Sequence, residues 1–182
     1  MLAERPSESA AIPALPAAPV VDPDAFPIER WATITAELDY EELGMGRSRA
    51  DVLRDAEVPD LEWPAVDAHW KQTLEHEADS AGFALRARAD AAYVASLERL
   101  RGREIAVLEY AKIVSAGEHR RVLAVLGDQG LPASSHLPIV RVWTGRLARD
   151  PRLSIELIHA VTGLQGSAPL PGAPASSANR GA

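Results

Sequence analysis

The chain has 182 residues, 47% of them apolar, and a formal net charge of -7. That length supports one domain, or two very small ones, around a buried core. The absence of cysteine excludes disulfides, thiolate zinc sites, iron–sulfur ligation and cysteine nucleophiles.

Residues 1–27 carry six prolines, from Pro6 to Pro27, separated mainly by Ala, Ser and Val. Proline lacks a backbone donor and pushes the preceding residue out of the helical region. The segment is expected to be a disordered Pro/Ala-rich tail, with Val20-Val21 its one apolar docking candidate. Residues 166–182, with Pro169, Pro171 and Pro174, read the same way. Glu4, Pro6, Ser7 and Glu8 stand where a secretory signal would place a charged start and an apolar stretch. No run of 18 apolar residues occurs, so no membrane span and a cytoplasmic location are expected.

Between the tails the pattern predicts an all-α fold of about seven helices, since apolar alternation is scarce and aromatics make up only 5%. The first helix is predicted over 28–39, where Trp31, Ile34 and Leu38 recur at helical spacing. Gly44 and Gly46 interrupt the chain. Ser48 is expected to cap a second helix that carries Val52, Leu53 and Ala56 inward and ends at Pro59. Asp60 is the expected cap of a third helix with Trp63, Val66, Trp70 and Leu74 as its stripe and Pro64 in its first turn. That helix is expected to continue, or to bend near Ser80–Gly82, through Phe83, Ala87, Ala91, Val94 and Leu97 to a stop at Gly102. Further helices are predicted over 103–115, 118–128, 135–149 and 151–162, the last opened by Asp150 and Pro151.

The two halves resemble each other. A shift of 73 places Leu53 on Leu126, Val58-Pro59 on Leu131-Pro132, Val66 on Ile139, Trp70 on Trp143 and Leu74 on Leu147. A shift of 79 places Trp31-Ala32 on Tyr110-Ala111 and Ile34 on Ile113. The six-residue difference falls in the loop around 40–46. We read two copies of one helical module, over 28–102 and 103–165, stacked on a shared core. Their charges differ: 28–100 holds 16 acidic and 8 basic residues, whereas 101–165 holds 6 acidic and 9 basic.

Residues that could carry chemistry are few. His69 and His76 lie seven apart, with Glu75 and Glu77 near, but a helical metal motif places its ligands four apart. Glu37, Asp39, Glu41 and Glu42 lack the alternating oxygen ligands of a calcium loop. Gly44-Met45-Gly46-Arg47-Ser48 precedes a helix, yet no preceding strand or following lysine completes a phosphate loop. Ser134-Ser135-His136 has no nucleophile-elbow context, and Ser135 reads as a helix cap. No catalytic residue, metal or other cofactor is therefore expected.

Two helix pairs could imitate a helix-turn-helix, and Arg120, Arg121, Arg141, Arg146, Arg149 and Arg152 make the second copy basic. A DNA-binding regulator is thus the alternative function. A net charge of -7 and the acidic start of the 60–77 helix disfavour it.

The run Trp31-Ala32-x-Ile34-x-Ala36, followed by Val52-Leu53, Val58-Pro59, Trp63 and Trp70, resembles small helical modules of uncharacterised proteins of myxobacteria and related bacteria. Some of these are encoded near type VI secretion components. The second copy, from Tyr110-Ala111-x-Ile113 through Trp143, has a shorter loop between its first two helices. The resemblance covers most of 28–150, chiefly at core positions. It implies no catalytic residues and an accessory, adaptor or chaperone-like role in a secretion system. The expectation is therefore a non-enzymatic protein-binding scaffold or adaptor whose partner is another protein, with Arg141, Arg146 and Arg149 on the charged rim of its binding face.

Overall fold

The computed structural model describes residues 26–44, 47–77, 83–117 and 119–166. These residues form eight α-helices and no strand, as an all-α fold requires. In chain order they are α1 (Ile28–Glu41), α2 (Arg49–Asp55), α3 (Trp63–Glu77), α4 (Ala84–Arg101), α5 (Val107–Ser115), α6 (His119–Asp128), α7 (His136–Arg149) and α8 (Pro151–Gly166). A 3₁₀ turn at Ala133–Ser135 leads into α7. The tails expected over 1–27 and 166–182 lie outside the described residues, apart from Phe26, Pro27 and Gly166, and so does Val20-Val21.

Local chemistry explains most helix ends. Ser48 and Asp51 form a reciprocal capping box: the Asp51 N–H donates to Ser48 Oγ at 3.1 Å and the Ser48 N–H to Asp51 Oδ2 at 3.2 Å. Gly102 ends α4 in the left-handed region at φ +69°, and the Arg103 N–H returns to the Glu98 carbonyl at 3.1 Å. Asp150 Oδ1 accepts the Arg152 N–H at 2.9 Å and so caps α8.

Several sequence expectations need correction. The long helix expected after Asp60 is two helices, which raises the count to eight. The Glu77 carboxylate accepts the backbone N–H groups of Leu85 at 2.6 Å and Arg86 at 2.8 Å, capping α4 from the end of α3. Helix α3 starts at Trp63, and Asp60 instead accepts a bond from Arg49 Nε at 3.3 Å. Helix α5 starts at Val107 rather than 103, because the turn closed by Gly102 must first unwind. Ser135 occupies the position before α7, but its hydroxyl donates to the Pro132 carbonyl at 2.6 Å and does not cap the helix.

One apolar cluster runs through the molecule, from Ile28 to Trp143. Helix α1 packs against α4, and α2 and α3 close on α1. Helix α5 likewise packs against α8, with α6 and α7 closing on α5. The α4–α7 contact joins the two sets. Positions related by the 73-residue shift are buried in both halves: Leu53 and Leu126, Val58 and Leu131, Val66 and Ile139, Trp70 and Trp143. The turns after α2 and α6 also correspond. Val58 N–H donates to the Leu53 carbonyl and Leu131 N–H to the Leu126 carbonyl, each at 2.9 Å. Glu57 and Gly130 hold the left-handed position in these turns, at φ 56° and 64°.

Candidate functional site

The arginines singled out from the sequence converge. Arg141, Arg146 and Arg149, five and three residues apart on α7, line an open groove of about 510 Å³ against α4. Phe83 and Arg86 approach from the start of α4, and Ala87, Ala91, Val142 and Gly145 supply apolar walls. Small residues on both helices keep the floor open: a Cβ added at Gly145 would come within 3.4 Å of the Arg149 guanidinium.

The arginines differ in how far their charge is already matched. Arg141 grips Asp90 through two parallel bonds, from Nε to Oδ2 and from Nη2 to Oδ1, the latter 2.9 Å. Arg146 grips Glu98 in the same way, with both bonds at 3.0 Å, and lies over the Trp143 ring at 5.4 Å. Glu98 Oε1 also accepts the Ile105 N–H at 3.0 Å, which ties the α4–α5 linker to the same pair. Arg86 donates to the Leu74 carbonyl at 2.8 Å. Arg149 has no carboxylate within ion-pairing distance among the described residues, and it is exposed.

Two of the three predicted rim residues are therefore internal struts as well as groove lining. They fasten α7 to α4, and Asp90, at 6% exposure, could not stay buried and ionised without its arginine. The exposed Phe83, at 63%, was not singled out as a surface residue from the sequence, where it reads as helix core. Arg141 and Arg146 also point at α4, so α7 presents no continuous basic face to a DNA groove. Arg120, Arg121 and Arg152 stand on other helices.

The remaining candidates are accounted for by local contacts. His69 sits edge-on to Trp70 with ring centres 5.1 Å apart, and His76 Nδ1 lies 2.8 Å from the Gln72 carbonyl. Among the described residues no group of three or more His, Asp or Glu could hold a metal ion. Glu37 pairs with Arg99, and Glu41 accepts the Arg47 N–H at 2.9 Å. The donors just before α2 are thus taken up by carboxylates, leaving no phosphate cradle in what is described; Met45 and Gly46 lie outside the described residues.

Asp39 forms a second polar cluster. Its Oδ2 accepts from Tyr93 OH at 2.7 Å and from Ser134 Oγ at 2.6 Å, joining α1, α4 and the turn before α7. Burial, with the Asp39 charge beside it, pushes the Tyr93 phenol well above its ordinary value. A phenol so raised stays a neutral donor and cannot act as a base. Ser134 Oγ donates its hydrogen bond to Asp39 rather than to His136.

Among the described residues no helix is long and apolar enough to cross a membrane. No protein-family model matches the chain, and no match is found among curated proteins or solved structures.

Proposed function

We propose that the protein is a non-enzymatic binding module, built from two copies of one four-helix unit, whose α4–α7 groove takes an acidic segment of a partner protein. The observation that carries this reading is Arg149, exposed and, among the described residues, without a carboxylate partner, beside the exposed ring of Phe83 in a groove of opposed helices. Exposed aromatic rings and arginines are the side chains that dominate protein interfaces. An incoming carboxylate would meet Arg149 as Asp90 meets Arg141, while an adjacent apolar side chain would cover Phe83. The weak likeness to modules encoded near secretion components favours a role as adaptor or accessory factor in such a machine.

The test is a charge swap. Tagged full-length protein from the native host should retain a stoichiometric partner. Arg149→Glu should release it, with the helical circular-dichroism spectrum unchanged. Reversing the partner's matching acidic residue to Arg should restore it. Recovery of the wild-type protein alone, or equal retention by Arg149→Glu and Phe83→Ala, would reject the reading. Duplex binding lost on Arg141→Glu and at raised salt would instead favour the nucleic-acid alternative.

A further inference from the structure

Helix α8 stands where α4 stands in the other half, yet among the described residues one of its faces has no neighbour. The inner face of α4, at 85, 86, 89, 93 and 96, aligns with 153, 154, 157, 161 and 164 of α8 on a shift of 68. On the opposite side this shift puts Ile155 and Ile158 at the positions of Ala87 and Asp90. In α4 that side meets α7, which buries Asp90 and Val94 at 6% and 0% exposure and leaves Ala87 exposed. In α8 it is bare, with Ile155 at 56% and Ile158 at 62% exposure.

The other side of the same internal interface is duplicated too. The shift of 73 carries Ser134 and Arg141, which face α4, onto Leu61 in the turn just before α3 and Ala68 within α3. Leu61 is 93% exposed and Ala68 is exposed. The molecule therefore carries, at its two ends, both halves of the contact it makes once in its middle. Where the internal contact uses the Asp90–Arg141 ion pair, the open faces offer Ile158 and Ala68, an apolar side chain and a small one. The two halves, which would alternate along such a stack, are opposite in charge, -8 over 28–100 and +3 over 101–165.

From this juxtaposition we infer that copies of the chain associate head to tail, α8 of one seated on α3 of the next as α4 is seated on α7. The inference rests on the two-copy reading above but does not use the groove. An interface between two different surfaces does not close on itself at two copies, so short stacks form rather than a closed dimer.

The full-length protein would be followed by light scattering and sedimentation over a concentration series at low salt. The mass should rise continuously past that of a dimer and fall back as salt is raised. Ile158→Glu and Leu61→Glu should each weaken association at least about tenfold, leaving a monomer. Mixed in equal amounts, these two variants should form a 1:1 pair, because each retains the face the other has lost. Arg149→Glu should leave the stacks intact, which separates this inference from the groove. Circular dichroism and thermal melting check that each variant folds, and Ile158→Ser replaces any glutamate variant that does not. A wild-type protein monomeric throughout would overturn the inference and mean that α8 is covered by its own chain or by a different protein. A closed dimer broken by Ile158→Glu but not by Leu61→Glu would overturn it in favour of α8 pairing with itself.

Discussion

Helices α4 and α8 pack on α1 and α5 in the same way, yet α4 buries six residues and α8 none. The difference lies in their neighbours. Helix α4 runs between α1 and α7, so both its sides are covered, and a charged pair had to be built to admit Asp90. Helix α8 packs on α5 and α7, but among the described residues nothing covers its Ile155–Ile158 face. Burial in this fold thus reports which helices flank a given helix as much as its own composition.

The comparison can be broken most forcefully in the core. Leu97, at 0% exposure on α4, should cost about 2–5 kcal/mol when cut to Ala. Ile158→Ala on α8, measured by urea unfolding at low protein concentration, should stay within about 0.5 kcal/mol of wild type. An Ile158 cost as large as that of Leu97 in a monomer would show that α8 is covered by its own chain.

Asp90→Asn comes next. It removes the negative charge and replaces one of the two acceptor oxygens with an NH2 donor, while the Arg141 side chain is 39% exposed, so water compensates in part. A loss of about 1–2 kcal/mol by chemical denaturation is expected. The same substitution releases a second guanidinium into the groove and should tighten binding of an acidic partner. A stability loss with weaker binding would place Asp90 in direct contact with that partner.

The fold was legible where side-chain identity fixes local structure. The stripes of α1 and α3, the Ser48 cap and the Gly102 stop each follow from residues a few positions apart. Between α3 and α4 the sequence left a continuous helix or a bend near 80–82 open, because the choice turns on Glu77 reaching the backbone donors of Leu85 and Arg86 in the next helix. The site was half legible. Arg141, Arg146 and Arg149 do line one groove, but their partners Asp90 and Glu98 lie 51 and 48 residues away in sequence. No spacing rule links them. Phe83 misled for the opposite reason: an aromatic ring reads as core unless the adjoining helix is known to end.

The two corresponding turns allow a smaller and more pointed comparison. Glu57 and Gly130 occupy the same left-handed position, where a Cβ is strained and glycine is not. Glu57→Gly should therefore be neutral or stabilising by up to about 1 kcal/mol, and Gly130→Ala destabilising by about 1 kcal/mol. Thermal unfolding of the two variants checks the opposite signs. Equal losses would mean that the turn after α2 needs the Glu57 side chain, and the likeness of the two turns would then be one of backbone only.

The smallest effect concerns pH and belongs to the first half. The Ser48 hydroxyl, then the Ser48 N–H and Arg54, hold the Asp51 carboxyl down from its ordinary 3.8 to about 2. The shift favours the ionised form in the folded protein, so its contribution is complete above about pH 4 and is lost as pH falls towards 2. Asp51 is only partly buried, and the effect is local: fraying at the start of α2 should precede global unfolding as acid is added. Carboxyl NMR titration should find the Asp51 midpoint near 2 in the wild type and nearer 3.8 in Ser48→Ala. A midpoint unmoved by Ser48→Ala would transfer the cause to Arg54, the other donor at 2.6 Å, and α2 would then start without its side-chain cap.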